Sequence, residues 1–173
     1  QMLRWKYGEG RGREIGVWCD GRMVGHYGGM RRDILYFGQP QSAAQIGDVM
    51  VDSSERGVLT RSGPFFLMAA TFLERYLGFG KPFLLGFGFP EQRAMKLAEL
   101  QGLYANVGRM VELTWLPATR TPKWLTYPRA VESKDAWAAD AVDSLWQRMA
   151  ADLRGAVVGV RDWQYLVHRY FAH

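Results

Sequence analysis

Between Val51 and Phe66 the chain reads VDSSERGVLTRSGPFF. An apolar run stops at Val51, Pro64 opens a stretch of aromatic and aliphatic residues, and Arg56, Gly57, Arg61, Ser62 and Gly63 lie between them. A helix starting at Pro64 turns its free backbone N–H groups and the positive end of its dipole toward that loop, which suits an anion such as phosphate. Either the loop cradles such a ligand or it is a polar turn. A Walker-type phosphate loop is rejected, because GVLTRSG lacks the Lys-Ser/Thr ending. His26, in GHYGG, has the ordinary pKa for proton transfer near neutrality; its alternative is a packed or hydrogen-bonded strand histidine. Gly86 and Gly88 either admit a close ligand at a strand end or make room for Phe87 and Phe89. Cys19 is the sole cysteine, which excludes a disulfide framework and a cysteine zinc site within one chain.

These residues need elements to position them. REIGVWCDG and RMVGHYGGM flank Asp20-Gly21, a dipeptide favoured in tight hairpins, and DILYFGQ extends the second strand. AAQIGDVMV is a third strand, so the first part reads as an antiparallel meander. Pro64 to Leu77, with Pro at its first turn and Gly78 beyond its end, reads as a helix. PFLLGFGF has the near-continuous apolar character of a strand buried on both faces. Glu91 to Leu100 is a second helix stopped by Gly102, and YANVGRMVELTWL is expected to be another strand. Pro117, Pro122 and Pro128 mark residues 117–133 as a linker. Beyond it, 134–153 is helical by its apolar spacing, and Asp162 is an N-cap for RDWQYLVHRYF.

Hydrophobic residues make up 48% of the 173 and charged residues 23%, the balance of a globular protein with a real core. No apolar run reaches the roughly 18 residues of a membrane span. QMLRWKYGEG is neither a signal nor a transit peptide, so the cytoplasm is the expected location. The net charge of +5 is compatible with nucleic acid, an acidic surface or an anionic cofactor, but the arginines are dispersed rather than clustered. Nucleic acid is therefore not the expected partner.

One short repeat stands out. LRWKY at Leu3–Tyr7 matches LVHRY at Leu166–Tyr170 in its apolar, aromatic, basic and tyrosine positions. The first copy precedes the first meander, so the second is expected to precede a meander of its own. On that expectation the chain is a segment of a larger two-domain protein, with a core at 1–116 and the start of a second unit at 134–173.

Residues 45–113 resemble the core of the GNAT acyltransferase superfamily, and the likeness extends over roughly the first 115 residues. IGDVMVDSSERG matches the family's strand and the entry to its R-G-x-G-x-G/A loop, and FGFPEQRAMKLAELQGLY its second motif, with Ala94, Gly102 and Leu103 at matching spacing. The resemblance implies an α+β fold with a mixed, mostly antiparallel sheet flanked by helices, here with a C-terminal helical extension. It implies acetyl-CoA or another acyl-CoA as co-substrate, a small amine as acceptor, and no metal. The backbone of Val49, Met50 and Val51 would meet the pantetheine arm, and Arg56 through Gly63 the pyrophosphate. Asp48, where the family often has an acidic residue, would be the base, with His26 as the other candidate; Asp48 otherwise is a surface-facing strand carboxylate paired with a nearby arginine. The family's loop glycines fall here on Leu59 and Arg61, its Asn on Glu91, and its Tyr general acid on Ala98. The acid role then passes to Tyr104 or to bulk water. Direct N-acyl transfer is the leading expectation. A Fem-type aminoacyl-tRNA-dependent transferase and a non-catalytic domain of the same fold are the alternatives. A second GNAT-like domain or a second copy of the chain is the expected protein partner.

Overall fold

A computed structural model describes residues 2–56, 60–114 and 129–172. Three long antiparallel strands form its centre: β1 (Gly12–Cys19), β2 (Arg22–Tyr36) and β3 (Gln39–Val51). Their turns are chemically specified. Asp20 and Gly21 both take positive φ, 49° and 76°, as do Phe37 and Gly38 at the next turn, the backbone twist that two-residue hairpins require. Beside β3 lies the short parallel strand β4 (Leu85–Phe87), and β5 (Val157–Gly159) pairs with the far end of β2. The result is the expected mixed, mostly antiparallel sheet, here with five strands.

Glycines let helices approach both faces of β2. On one face α2 (Pro64–Tyr76) packs through Met68, Ala69 and Phe72, all fully buried. Met68 occupies the space a Cβ would need at Gly25, and Phe72 does the same at Gly29. Tyr27, Ala44 and Phe83 complete this core, with Ile15, Val17 and Ile46 around it. The opposite face receives α1 (Met2–Tyr7), whose Tyr7 ring lies where side chains would stand on Gly12 and Gly28. The pleat explains the division, since alternate residues of one strand point to opposite faces.

After α2, β4 leads into α3 (Gln92–Leu100), and the C-terminal part holds α4 (Ala136–Asp152), β5 and α5 (Trp163–Leu166), which continues as a wide turn through Phe171. The Asp162 carboxylate accepts from the Tyr165 N–H, the expected N-cap. Of the expected linker, residues 117–128 lie outside the described residues.

Two strand expectations are corrected. Residues 104–114 of the expected strand 104–116 form no regular element, and Val107, Met110, Val111 and Leu113 are exposed. PFLLGFGF is not buried on both faces: within it Leu85–Phe87 forms a short strand, Phe83 makes a single bridge to Leu77, and Phe87 and Phe89 are exposed. The two departures share a cause. An apolar run becomes a buried strand only when a neighbour covers its edge and a helix its face, and among the described residues nothing pairs with the outer edge of β4. β5, in turn, is too short to announce itself by pattern.

Candidate active site

The ladder between β3 and β4 is short: Ala43 pairs with Leu85, Ala44 with Gly86 and Gln45 with Phe87. Gly88 still lies against the Ile46 carbonyl, where a Cβ would stand 3.3 Å away. Beyond it β3 runs on to Val51 without β4, while the other chain turns toward Glu91, the N-cap of α3. The β4 side of Gly47–Val51 is therefore an open strand edge.

A bulge interrupts this edge. Gly47 pairs with Gly28 and Met50 with His26, so Asp48 and Val49 together oppose Tyr27 alone. Asp48 takes φ 52°, a left-handed conformation that Asp tolerates better than most residues. A bulge leaves one backbone unit out of the ladder and re-aims the side chains around it. Val49 and Met50 are exposed here, at 38% and 57%, whereas Val51 pairs with Gly25 and packs on the core.

The Asp48 carboxylate turns toward α1. Lys6 Nζ contacts its two oxygens at 2.7 and 2.8 Å, and the Tyr7 hydroxyl donates to Oδ2 at 2.7 Å. Burial opposes its ionisation, but the bonds from Lys6 and Tyr7 outweigh it and hold the pKa below the ordinary value. Tyr7 is shifted the other way, by burial first and then by its bond to Asp48. His26 sits beside them with Nδ1 2.7 Å from the Asp48 carbonyl oxygen and Nε2 3.2 Å from Glu14 Oε1. A carbonyl can only accept, so Nδ1 carries a proton, and Nε2 faces the Glu14 carboxylate.

On the other face, the Tyr27 and Tyr104 hydroxyls meet at 2.6 Å. Burial raises both pKa values; the Tyr27 bond partly offsets the rise at Tyr104. Tyr104 also meets Phe65 of the first α2 turn edge-on, with centroids 6.5 Å apart. It thus stands between the bulge and the start of α2. Ala98 is fully buried in α3.

Of the loop residues, Gly57 lies outside the described residues. Arg56 Nε donates to the Val51 carbonyl at 2.9 Å, and the Arg61 guanidinium lies 5.8 Å over the Phe66 ring. Ser62 bonds Thr60 through their hydroxyls. Gly63 is the N-cap of α2 in extended conformation and supplies no side-chain cap, so the first-turn N–H groups face the loop. Val51, Phe65 of the first α2 turn and Tyr104 pack on one buried cluster, while Asp48 and His26 meet on the α1 face. Cys19 stays a thiol at neutral pH, since the Asp20 charge raises its pKa.

Three participants were not among the expected site residues: Lys6, Tyr7 and Glu14. The signal for the first two was the LRWKY repeat; nothing local marked Glu14. Among the described residues no cluster of three His, Cys, Asp or Glu side chains could hold a metal, and no helix is long and apolar enough to cross a membrane. A groove of about 460 Å³, lined by Arg31, Asp33, Gln41 and Lys81 among others, opens at the start of β3, the other end from the bulge.

The family description "Acetyltransferase (GNAT) domain" matches residues 1–94. No curated protein matches the chain at a significant level. Among solved structures, a transcriptional regulator from Bacillus halodurans C-125 superposes with a TM-score of 0.52 at 15% identity, over 66% of this chain and 73% of that one. A Trypanosoma brucei acetyltransferase gives 0.42 at 20% identity, over 66% and 73%. An aminoglycoside acetyltransferase from an uncultured soil metagenomic sample gives 0.45 at 18%, over 68% and 73%. The 0.52 superposition speaks for the fold alone, and the family match covers more than half the chain: this protein belongs to the GNAT acetyltransferase family.

Proposed function

We propose that the chain is an N-acetyltransferase that moves an acetyl group from acetyl-CoA to a small primary amine. The observation that carries the reading is the bulge at Asp48–Val49, on a strand that has lost its parallel neighbour beside an α2 N-terminus without a side-chain cap. An open strand edge offers backbone groups to an amide-bearing pantetheine arm. The α2 N-terminus, with Arg61 beside it, offers N–H groups and positive charge to a pyrophosphate.

The amine attacks the thioester carbonyl carbon, the new C–N bond forms, and negative charge develops on the carbonyl oxygen. Backbone N–H at the bulge stabilises that oxyanion. The C–S bond then breaks, and the thiolate takes a proton from the Tyr104 hydroxyl, which Tyr27 holds in place. The ammonium proton passes to Nε2 of His26 once the Glu14 contact opens. Asp48, with both oxygens engaged, serves as a positioning residue that fixes α1 and the bulge rather than as the base. The products are the acetamide and coenzyme A.

The test is release of free thiol from acetyl-CoA in the presence of a panel of amines, beside calorimetric titration with coenzyme A. His26→Gln and Tyr104→Phe should lower kcat by roughly 10²–10⁴-fold, the usual contribution of a positioned acid or base, with coenzyme A affinity little changed. The second reading is a non-catalytic domain, favoured by the buried Ala98 where the family has its acid. Coenzyme A binding without thiol release for any amine would select it, and no binding at all would sink both.

A further inference from the structure

On the α1 face of the sheet, Tyr7 covers Gly12 and Gly28 and no more. Toward the Asp20-Gly21 turn that face is exposed among the described residues. Gly16, directly opposite His26 across β1 and β2, is itself exposed. The Trp18 indole Nε1 lies 3.4 Å from where a Gly16 Cβ would stand, and Met23 Sδ lies 3.7 Å from it. On its other side His26 is opposite Met50 of β3. Directly opposed residues of neighbouring strands share a face, so three large apolar side chains stand around the imidazole. Trp18, Met23 and Met50 are 64%, 49% and 57% exposed.

Glu14 adds a carboxylate to this surface. Its Oε1 lies 3.2 Å from His26 Nε2, while Oε2 has no hydrogen-bond partner among the described residues, and the side chain is 41% exposed. Asp48, by contrast, has both oxygens engaged by Lys6 and Tyr7. An open carboxylate oxygen beside an indole and two thioethers suits a ligand that is cationic at one end and apolar at the other.

We propose that this surface binds the acceptor, and that the acceptor is a primary ammonium ion with an apolar body. Its ammonium bonds Glu14, and its body lies on Trp18, Met23 and Met50. Drawing Glu14 away from His26 opens the contact that blocks Nε2, so binding itself frees the base. An α-amino acid fits poorly, because its own carboxylate would come to lie beside Glu14. A polyamine fits poorly, because a second cation would be desolvated on the apolar side chains. The inference rests on the acetyl-transfer reading, and adds to it the class of acceptor and the residues that select it.

The test pairs a binding measurement with a rate measurement on the unsubstituted protein. NMR titration with 2-phenylethylamine, in the presence of coenzyme A, follows the Trp18 indole N–H, assigned with Trp18→Phe, and the His26 ring protons. Both signals should shift and saturate, and methylamine should bind roughly tenfold more weakly or worse, the scale an apolar pocket sets. Thiol release from acetyl-CoA should favour 2-phenylethylamine over methylamine and over L-phenylalanine by a similar factor in kcat/KM. Trp18→Ala should erase most of the preference over methylamine. Glu14→Gln should raise KM by about tenfold or more, with Glu14→Asp recovering part of the loss. Acetylation of 2-phenylethylamine without shifts at Trp18 and His26, or without preference among the three amines, overturns the proposal and leaves the acetyl-transfer reading standing. Saturable shifts at both residues without thiol release keep the binding site and overturn the transfer reading. Neither shifts nor thiol release would overturn both.

Discussion

Gly28 and Tyr7 make the closest partnership in the molecule's outer layer. A Cβ on Gly28 would overlap the Tyr7 hydroxyl and ring. Gly28→Ala should therefore cost about 1–3 kcal/mol by overpacking, read from urea denaturation. Removing the ring in the Gly28→Ala/Tyr7→Ala double variant should abolish the extra cost of the alanine. Strictly additive losses would mean that the ring does not depend on the glycine. Asp48 gives a pH dependence at the same scale. Its folded pKa lies below the ordinary 3.8, so the folded state binds fewer protons than the unfolded one. The stability this contributes is complete above 3.8 and is lost as pH falls through the folded value. Acid unfolding followed by circular dichroism should show Asp48→Asn less acid-sensitive than the parent below pH 4, though less stable at pH 7. A parallel acid limb in both proteins would contradict the Lys6–Asp48–Tyr7 grip.

At the scale of elements, the loop before α2 separates stability from binding. Gly63 has the extended φ and ψ of an N-cap, −73° and 151°, without a capping side chain. Gly63→Asp supplies that cap, worth at most a few tenths of a kcal/mol over glycine, and sets a negative charge where a phosphate would lie. Thermal stability should hold or rise slightly while coenzyme A affinity falls at least tenfold by calorimetry. Unchanged affinity would remove the α2 N-terminus from the binding site. Residues 105–114 form the other informative segment, an exposed stretch that joins no strand among the described residues. Their amides should exchange with solvent within seconds, whereas those of the paired parts of β2 and β3 should persist far longer. Slow exchange at Val107 and Val111 would mean that the stretch is covered in solution.

Across the described residues, the C-terminal part meets the rest through β5 on the end of β2 and through His168 on Trp5. Trp5→Ala should loosen only the second. Hydrogen exchange should quicken through residues 163–171 while β5 and the β2–β3 ladder keep their protection, and near-uniform quickening would show that the contact supports the entire fold.

Much of this was legible in the sequence because the deciding interactions are local. Asp20-Gly21 dictates a hairpin, Pro64 and Gly78 bracket a helix, and Asp162 caps one; each acts within a few residues. The spacing of Ala94, Gly102 and Leu103 indicated the family for a similar reason, as it reflects one helix and its exit. What the tertiary structure decided depends on neighbours distant in the chain. The family resemblance marked Asp48 as a base, and the proposed function makes it a clamp. Its contacts are with Lys6 and Tyr7, 42 and 41 residues away, at a bulge created by pairing with β2. YANVGRMVELTWL at 104–116 read as a strand, but a strand exists only when another edge accepts its hydrogen bonds. The repeat was visible as five letters in each copy. Only the folded chain set Trp5 against His168, because contact between distant segments is a property of their packing and not of their order.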